Sequence, residues 1–344
     1  MSYTNGLDKP SDYFVTKLYT GNGGTQSITG VGFAPNWVWG KSRSLTEGNA
    51  VHDTVRGVRK NILTNTTAAE EDIASITAFG SDGFTLGSNA HLNANNSSMV
   101  AWNWKAGGSA SSNSNGTITS SVSANTDAGF SIVSYTGNGS DNATIGHGLG
   151  SSIDFVIVKR RNTTSNWLVQ GSKVGTGYGQ YLELNATNAI ASASDNIKSV
   201  SSSLLTLGTN GSCNGSSDTY IAYCFAEKQG YSKFGSYVGT GNVDGSFIFT
   251  GQKSAFIMIK VKSTGDSWQL IDTTRDTFNS GSEFVLQPDL SSAEADNVRL
   301  DILSNGFKTR TTNVSVNASG QSYIYMAFAE NPFVTSTGVP ATAR

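Results

Sequence analysis

One pattern of residues occurs three times along this chain of 344 residues, and it limits the fold more than any single motif does. Its first signature is Tyr19-Thr20-Gly21-Asn22-Gly23. It returns unchanged as Tyr135-Thr136-Gly137-Asn138-Gly139 and loosely as Tyr237-Val238-Gly239-Thr240-Gly241. A second signature is an apolar run ending in a cation. It reads Trp37-Val38-Trp39-Gly40-Lys41, then Phe155-Val156-Ile157-Val158-Lys159, then Phe256-Ile257-Met258-Ile259-Lys260. Such a run fits a strand buried on both faces, and Lys41, Lys159 and Lys260 are expected at its solvated end.

The third signature is less regular. Asp53 and Arg56 in the first copy match Asp272 and Arg275 in the third, whereas the second copy has Gly171 in place of the Asp. Partial loss argues against catalysis, and an ion pair that pins a turn accounts for the spacing. Late in the copies, Asp82-Gly83 and Asn305-Gly306 are hairpin signals. Each copy then closes on an aromatic strand: Met99 to Trp104, Tyr220 to Phe225, and Tyr323 to Phe328.

Composition agrees with many short strands. Gly is 39 residues, Pro 5 and charged residues only 14%, a mix that disfavours long helices, while 37% hydrophobic residues supply cores. The fold class expected is all-β, with three tandem β-sandwich or jelly-roll-like domains. Their expected bounds are 1–107, 128–230 and 231–333. A Gly/Ser/Asn-rich linker at 108–127 is expected to let the first copy swing, although 117–124 also reads as an added edge strand. Residues 334–344 read as an exposed tail. Segments 68–74 and 291–296 read equally well as short helical turns or acidic loops.

Chemistry-bearing patterns are few. A net charge of −2 without a clustered basic face argues against nucleic-acid binding. No apolar run is long enough to span a membrane, and the first residues lack the basic-then-apolar pattern of a signal peptide. His52, His91 and His147 have no zinc-ligand spacing, and His147 reads as a turn residue. The loops around Asp141 and Asp289 lack the dense oxygen ligands of a calcium loop. Gly175-Thr176-Gly177-Tyr178-Gly179 lacks the Lys-Ser/Thr of a phosphate-binding loop. Cys213 sits in a polar turn and Cys224 in an apolar strand, a pair that is either two free thiols or one disulfide. No cofactor is expected. Trp167 and Trp268 read as shared core positions. Trp37, Trp39, Trp102 and Trp104, paired on strand faces, are the candidates for contact with a glycan or partner, with core packing as the competing account.

The signatures at 135–139, 155–160, 220–227 and 234–237, with Ala327-Phe328-Ala329-Glu330-Asn331-Pro332-Phe333, resemble a module of virion proteins in tailed bacteriophages, especially marine ones. The resemblance runs from about residue 12 to 333 and implies a structural or adhesive part rather than an enzyme. The expected function is a tail fibre or surface appendage that contacts host glycans. The alternatives are a capsid decoration or head fibre, and a polysaccharide depolymerase. The expected location is the virion, assembled in the host cytoplasm. The expected partners are other virion proteins and further copies of this chain in a homo-oligomer, a trimer by resemblance.

Overall fold

A computed structural model describes residues 6–279, 281 and 283–343. The chain is all-β. Among the described residues, helix is confined to a 3-10 turn at Pro10–Asp12 and a single turn at Ala90–Asn93. The three copies, called repeats I, II and III, each form a large antiparallel sheet facing a small one. In repeat I the large sheet runs Phe14–Thr20, Ser98–Trp104, Trp37–Ser42, Ala50–Asp53, Lys60–Leu63, Glu71–Asp72. Repeat II has the same order: Phe130–Thr136, Thr219–Phe225, Phe155–Arg160, Leu168–Gln170, Gln180–Glu183, Ala191–Ser192. Repeat III follows with Ser232–Val238, Ser322–Pro332, Gln252–Val261 and Gln269–Asp272, and a bridge from Leu270 to Leu286 continues it. The small sheets centre on Gly83–Leu86, Leu204–Leu207 and Gly306–Thr309.

Alternation along the strands divides the apolar residues between two destinations. Val38, Ala101 and Phe84 fill a core between the two sheets of repeat I. Val156, Ala222 and Leu205 do so in repeat II, and Ile257, Ala327 and Phe307 in repeat III. The opposite faces of the three large sheets meet one another. Trp37, Trp39, Trp102 and Trp104 of repeat I, Phe130, Tyr223 and Phe225 of repeat II, and Phe234, Phe256 and Phe328 of repeat III belong to one continuous core. Phe328 lies 5.5 Å from Trp104 and 5.9 Å from Phe225, ring centre to ring centre. These three close equivalent strands, so the repeats surround a common pseudo-threefold axis filled by aromatic rings.

The Tyr-Thr-Gly-Asn-Gly signature now has a cause. The hydroxyls of Tyr19, Tyr135 and Tyr237 donate to the carbonyls of Leu92, Cys213 and Val316. The side-chain oxygens of buried Asn93, Asn214 and Asn317 accept from the backbone N–H of Asn22, Asn138 and Thr240. A Cβ on Gly21, Gly137 or Gly239 would sit 2.2–2.4 Å from a backbone oxygen, and only glycine fits such an approach.

This arrangement corrects the expectation of a swinging first domain. Repeat I contributes to the shared core as fully as the others, so the boundaries near 107 and 230 separate sequence copies, not independent bodies. Segment 108–127 is no tether. Ser111–Asn113 and Ser120–Asn125 add two strands to the edge of the repeat II sheet, the second pairing with Phe130–Thr136. The tail turns back through a Val334–Pro340 bridge, and the Ser336 backbone N–H donates to Asp8 at 2.7 Å.

Candidate functional site

The strand-end lysines are not solvated. Lys41, Lys159 and Lys260 are fully buried. Each ammonium donates to a backbone carbonyl of a neighbouring repeat: Lys41 to Ser291 at 2.8 Å, Lys159 to Thr67 at 2.9 Å, and Lys260 to Thr187 at 3.0 Å. The direction is cyclic, from I to III, II to I and III to II. Burial pushes each ammonium down to about 8, since the charged form loses its hydration. The expectation failed because the run alone reveals an emerging strand end, while the neighbouring repeat that covers it lies elsewhere in the sequence.

Beside these lysines sit two charged clusters at equivalent places. In repeat I, Asp53 binds Arg56 at 2.5 Å, and Arg56 reaches Glu70 at 3.1 Å. In repeat III, Asp272 binds Arg275 at 2.5 Å, and Arg275 reaches Glu294 at 2.9 Å. Each cluster is completed from the next repeat. The Tyr223 hydroxyl donates to Asp53 at 2.8 Å, and the Trp102 indole N–H donates to Asp272 at 3.0 Å. Arg161 forks onto Glu70, and Arg43 forks onto Glu294. Burial would raise the Glu70 carboxyl, but Arg161 and Arg56 outweigh it and hold it low. The segments read as helical turns or acidic loops are extended here, and Glu70 and Glu294 turn into the interface, their backbone N–H groups bonding to Arg161 and Arg43 carbonyls.

Repeat II lacks the whole cluster. Gly171, Val174 and Ile190 stand where repeats I and III place Asp, Arg and Glu, as strand pairing and the Ile190 N–H bond to the Lys262 carbonyl show. The residue facing that place from repeat III, at the position of Trp102 and Tyr223, is Met326. Polar groups have been exchanged for apolar ones on both sides of the junction together. Such a paired exchange is what packing between repeats requires.

The tryptophans proposed for glycan contact lie inside the shared core. Trp37, Trp39, Trp102 and Trp104 are at most 2% exposed. Trp37 stacks on Tyr223 at 4.6 Å, and Arg275 of repeat III lies 5.5 Å over the Trp102 ring. Aromatics at alternate strand positions marked a packed face correctly, but the sequence did not show that this face meets two other sheets. Trp167 and Trp268 are shared core positions that also join repeats, their indole N–H groups donating to the carbonyls of Leu63 and Glu183. Asn49 takes the equivalent place in repeat I and donates to Gln287 and Leu290 of repeat III.

The remaining candidates are dispersed. His52 is buried within repeat I, where burial and then Arg56 push it down to about 3. His91 bonds Glu47 at 2.8 Å, and the His147 ring accepts from the Leu149 backbone N–H inside its own turn. Cys213 and Cys224 are buried free thiols, each pushed up to about 12 by burial. No group of three or more His, Cys, Asp or Glu residues is placed to hold a metal among the described residues. Asp289 is pushed up to about 6 by burial, and one of its oxygens accepts from the Trp268 backbone N–H.

Two of the surface grooves lie beside the edge of a large sheet. One, of about 440 Å³, lies beside Phe14, Val15 and Thr16 and is closed by Ala329 and Glu330 of repeat III. The other, of about 530 Å³, lies beside Ser232 and Lys233, with Phe249 and Phe333 on its walls. Both flank the outermost strand of a large sheet, a place the sequence did not single out because edge position depends on strand order. No curated protein and no solved structure matches the chain. A family model does match, from residue 9 to 332, so the family unit is the entire three-repeat body, and the chain belongs to the family described as domain of unknown function DUF7483.

Proposed function

We propose that this chain is a structural component of a bacteriophage virion, most simply a tail fibre or surface appendage. The supporting observation is the closed pseudo-threefold body. Its buried Asp-Arg-Glu clusters and its six tryptophans are used in joining repeats I, II and III, which suits a rigid building part. The threefold arrangement expected among separate chains occurs here within one, so a single copy can occupy a place that otherwise takes a trimer. Contact with host glycans then falls to the loops that differ between repeats, since the paired tryptophans present no face to solvent.

The test is direct. Antibodies raised against the recombinant chain are expected to label purified phage particles from its source, at the tail for an appendage or over the head for a capsid decoration. Particles that neither bind the antibody nor yield its peptides by mass spectrometry would refute the proposal. Release of reducing sugar from host polysaccharide by the purified chain would instead favour a depolymerase.

A further inference from the structure

The three large sheets differ at one edge. In repeat II the strand Phe130–Thr136 is covered by Ser120–Asn125, which pairs with it from Ser120 opposite Tyr135 to Asn125 opposite Phe130. Val122 of that added strand packs into the core between the sheets, and Ile118 bridges to Ile145 on the small sheet. The equivalent strands of repeats I and III, Phe14–Thr20 and Ser232–Val238, have no such cover and are more exposed along their length. The grooves of about 440 and 530 Å³ lie beside these two uncovered edges.

We propose that the Ser236–Val238 end of this edge is a docking slot for an extended strand of another protein chain, added on the side where repeat II carries Ser120–Asn125. Backbone polarity fits this role. The Gly239 N–H bonds the Gln321 carbonyl, and the Ala329 N–H bonds the Tyr231 carbonyl. Odd-numbered residues therefore bond inward to Ser322–Pro332 and even-numbered ones face outward. The Ser232 and Phe234 N–H groups are met by the Lys228 carbonyl and the Glu227 carboxylate, and the Val238 carbonyl accepts from the Ser246 hydroxyl, which leaves the N–H and carbonyl of Ser236 and the N–H of Val238 on the open side. Both residues are exposed.

Exposed apolar residues concentrate in repeat III. Apart from Leu45 and Val58, every exposed large hydrophobic residue among those described lies at or beyond residue 238. Phe247 and Phe249 are 47% and 58% exposed on the small sheet, where repeats I and II place Ser27 and Thr29, and Thr144 and Gly146. Phe249 and Phe333 wall the groove itself. Both uncovered edges carry a cation: Lys233, paired with Glu227, at the start of the repeat III edge, and Lys17 in the middle of the repeat I edge. Lys17 stands where repeat II has Val133, and an inward-pointing charge at an edge opposes strand addition. The partner segment is thus an extended peptide of small polar residues alternating with Val, Ile or Ala, adding backbone bonds to the edge and side chains to the groove.

The probe is the chain's own edge sequence. Residues 117–126 are fused after Arg344 through a flexible Gly/Ser linker of about 15 residues, long enough to span from the tail to the groove that Phe333 and Val334 line. Amide exchange at Ser236 and Val238 is expected to slow at least tenfold, and the unfolding midpoint to rise by about 2–4 °C. Ser236→Pro, which removes an outward N–H at an exposed edge, is expected to abolish both gains while leaving the unfused chain folded. Replacing the Val of the fused segment by Asp, which leaves the body untouched, should do the same. Unchanged exchange in the fusion overturns the proposal. So does protection by added maltoheptaose that survives Ser236→Pro, which would make the groove a glycan site.

Discussion

At the junction between repeats I and II, Asp53, Arg56 and Glu70 meet Tyr223 and Arg161. At the junction between repeats II and III, the equivalent places hold Gly171, Val174 and Ile190 opposite Met326 and Lys262. The third junction, between III and I, repeats the charged solution with Asp272, Arg275, Glu294, Trp102 and Arg43. One geometry therefore accepts either a fully satisfied ionic cluster or an apolar contact. It does not show a mixture, because a buried charge without its partner costs several kcal/mol, whereas exchanging the whole set for apolar residues is often neutral.

The largest expected effect comes from breaking one cluster in part. Arg56→Val imports a single residue of the apolar junction and leaves the buried Asp53 carboxylate without its cation, while Glu70 keeps Arg161. It is expected to destabilise the chain by about 3–5 kcal/mol in urea unfolding. A loss below about 1 kcal/mol would show that the cluster is not a unit. The fivefold exchange Asp53→Gly, Arg56→Val, Glu70→Ile, Arg161→Lys and Tyr223→Met imports the whole junction. It should recover most of that loss, ending within about 2 kcal/mol of the parent by the same measurement.

How much of this was legible in the sequence follows from the same residues. The Asp-Arg spacing and its loss at Gly171 were visible, and they argued correctly for a pinned turn. The matching change at Met326 lies more than 150 residues away in sequence, and nothing in a single copy says that it faces Gly171. The all-β class, the hairpin glycines and the closing aromatic strands were readable because strand alternation and turn chemistry are local. The buried lysines and the covered tryptophans were not, because each depends on the repeats closing into a ring, whereas the edge strand read at 117–124 is local and appears at Ser120–Asn125.

The lysines give a smaller, pH-dependent effect common to all three junctions. Their folded values near 8 lie below the ordinary 10.5, so between these limits the unfolded chain holds more protons. Stability contributed by these groups therefore rises as pH increases from 8 towards 10.5 and is lowest below 8, where both states are charged. Buried tyrosines such as Tyr223, raised by burial, act in the opposite sense above pH 10. The useful window is thus pH 8 to 10. Urea midpoints of the parent should climb through it relative to those of the triple variant Lys41→Met, Lys159→Met, Lys260→Met. Equal slopes would mean that the ammonium groups keep their ordinary proton affinity, with the carbonyl bonds offsetting burial.

The smallest effect is expected from adding charge to the apolar junction at its rim. Ile190 and Lys262 occupy the places of Glu70 and Arg161, joined by the same backbone bond from the Ile190 N–H to the Lys262 carbonyl at 2.8 Å. Glu70 and Arg161 are 12% and 19% exposed at their side chains, so water still screens that pair. Ile190→Glu with Lys262→Arg therefore introduces an ion pair without importing a buried carboxylate such as Asp53. Its net effect on unfolding free energy is expected to stay within about 1 kcal/mol of zero. A loss of 3 kcal/mol or more would place the Ile190 side chain among the buried determinants of the junction. The divide between ionic and apolar solutions would then extend to the rim instead of stopping at Gly171 and Val174.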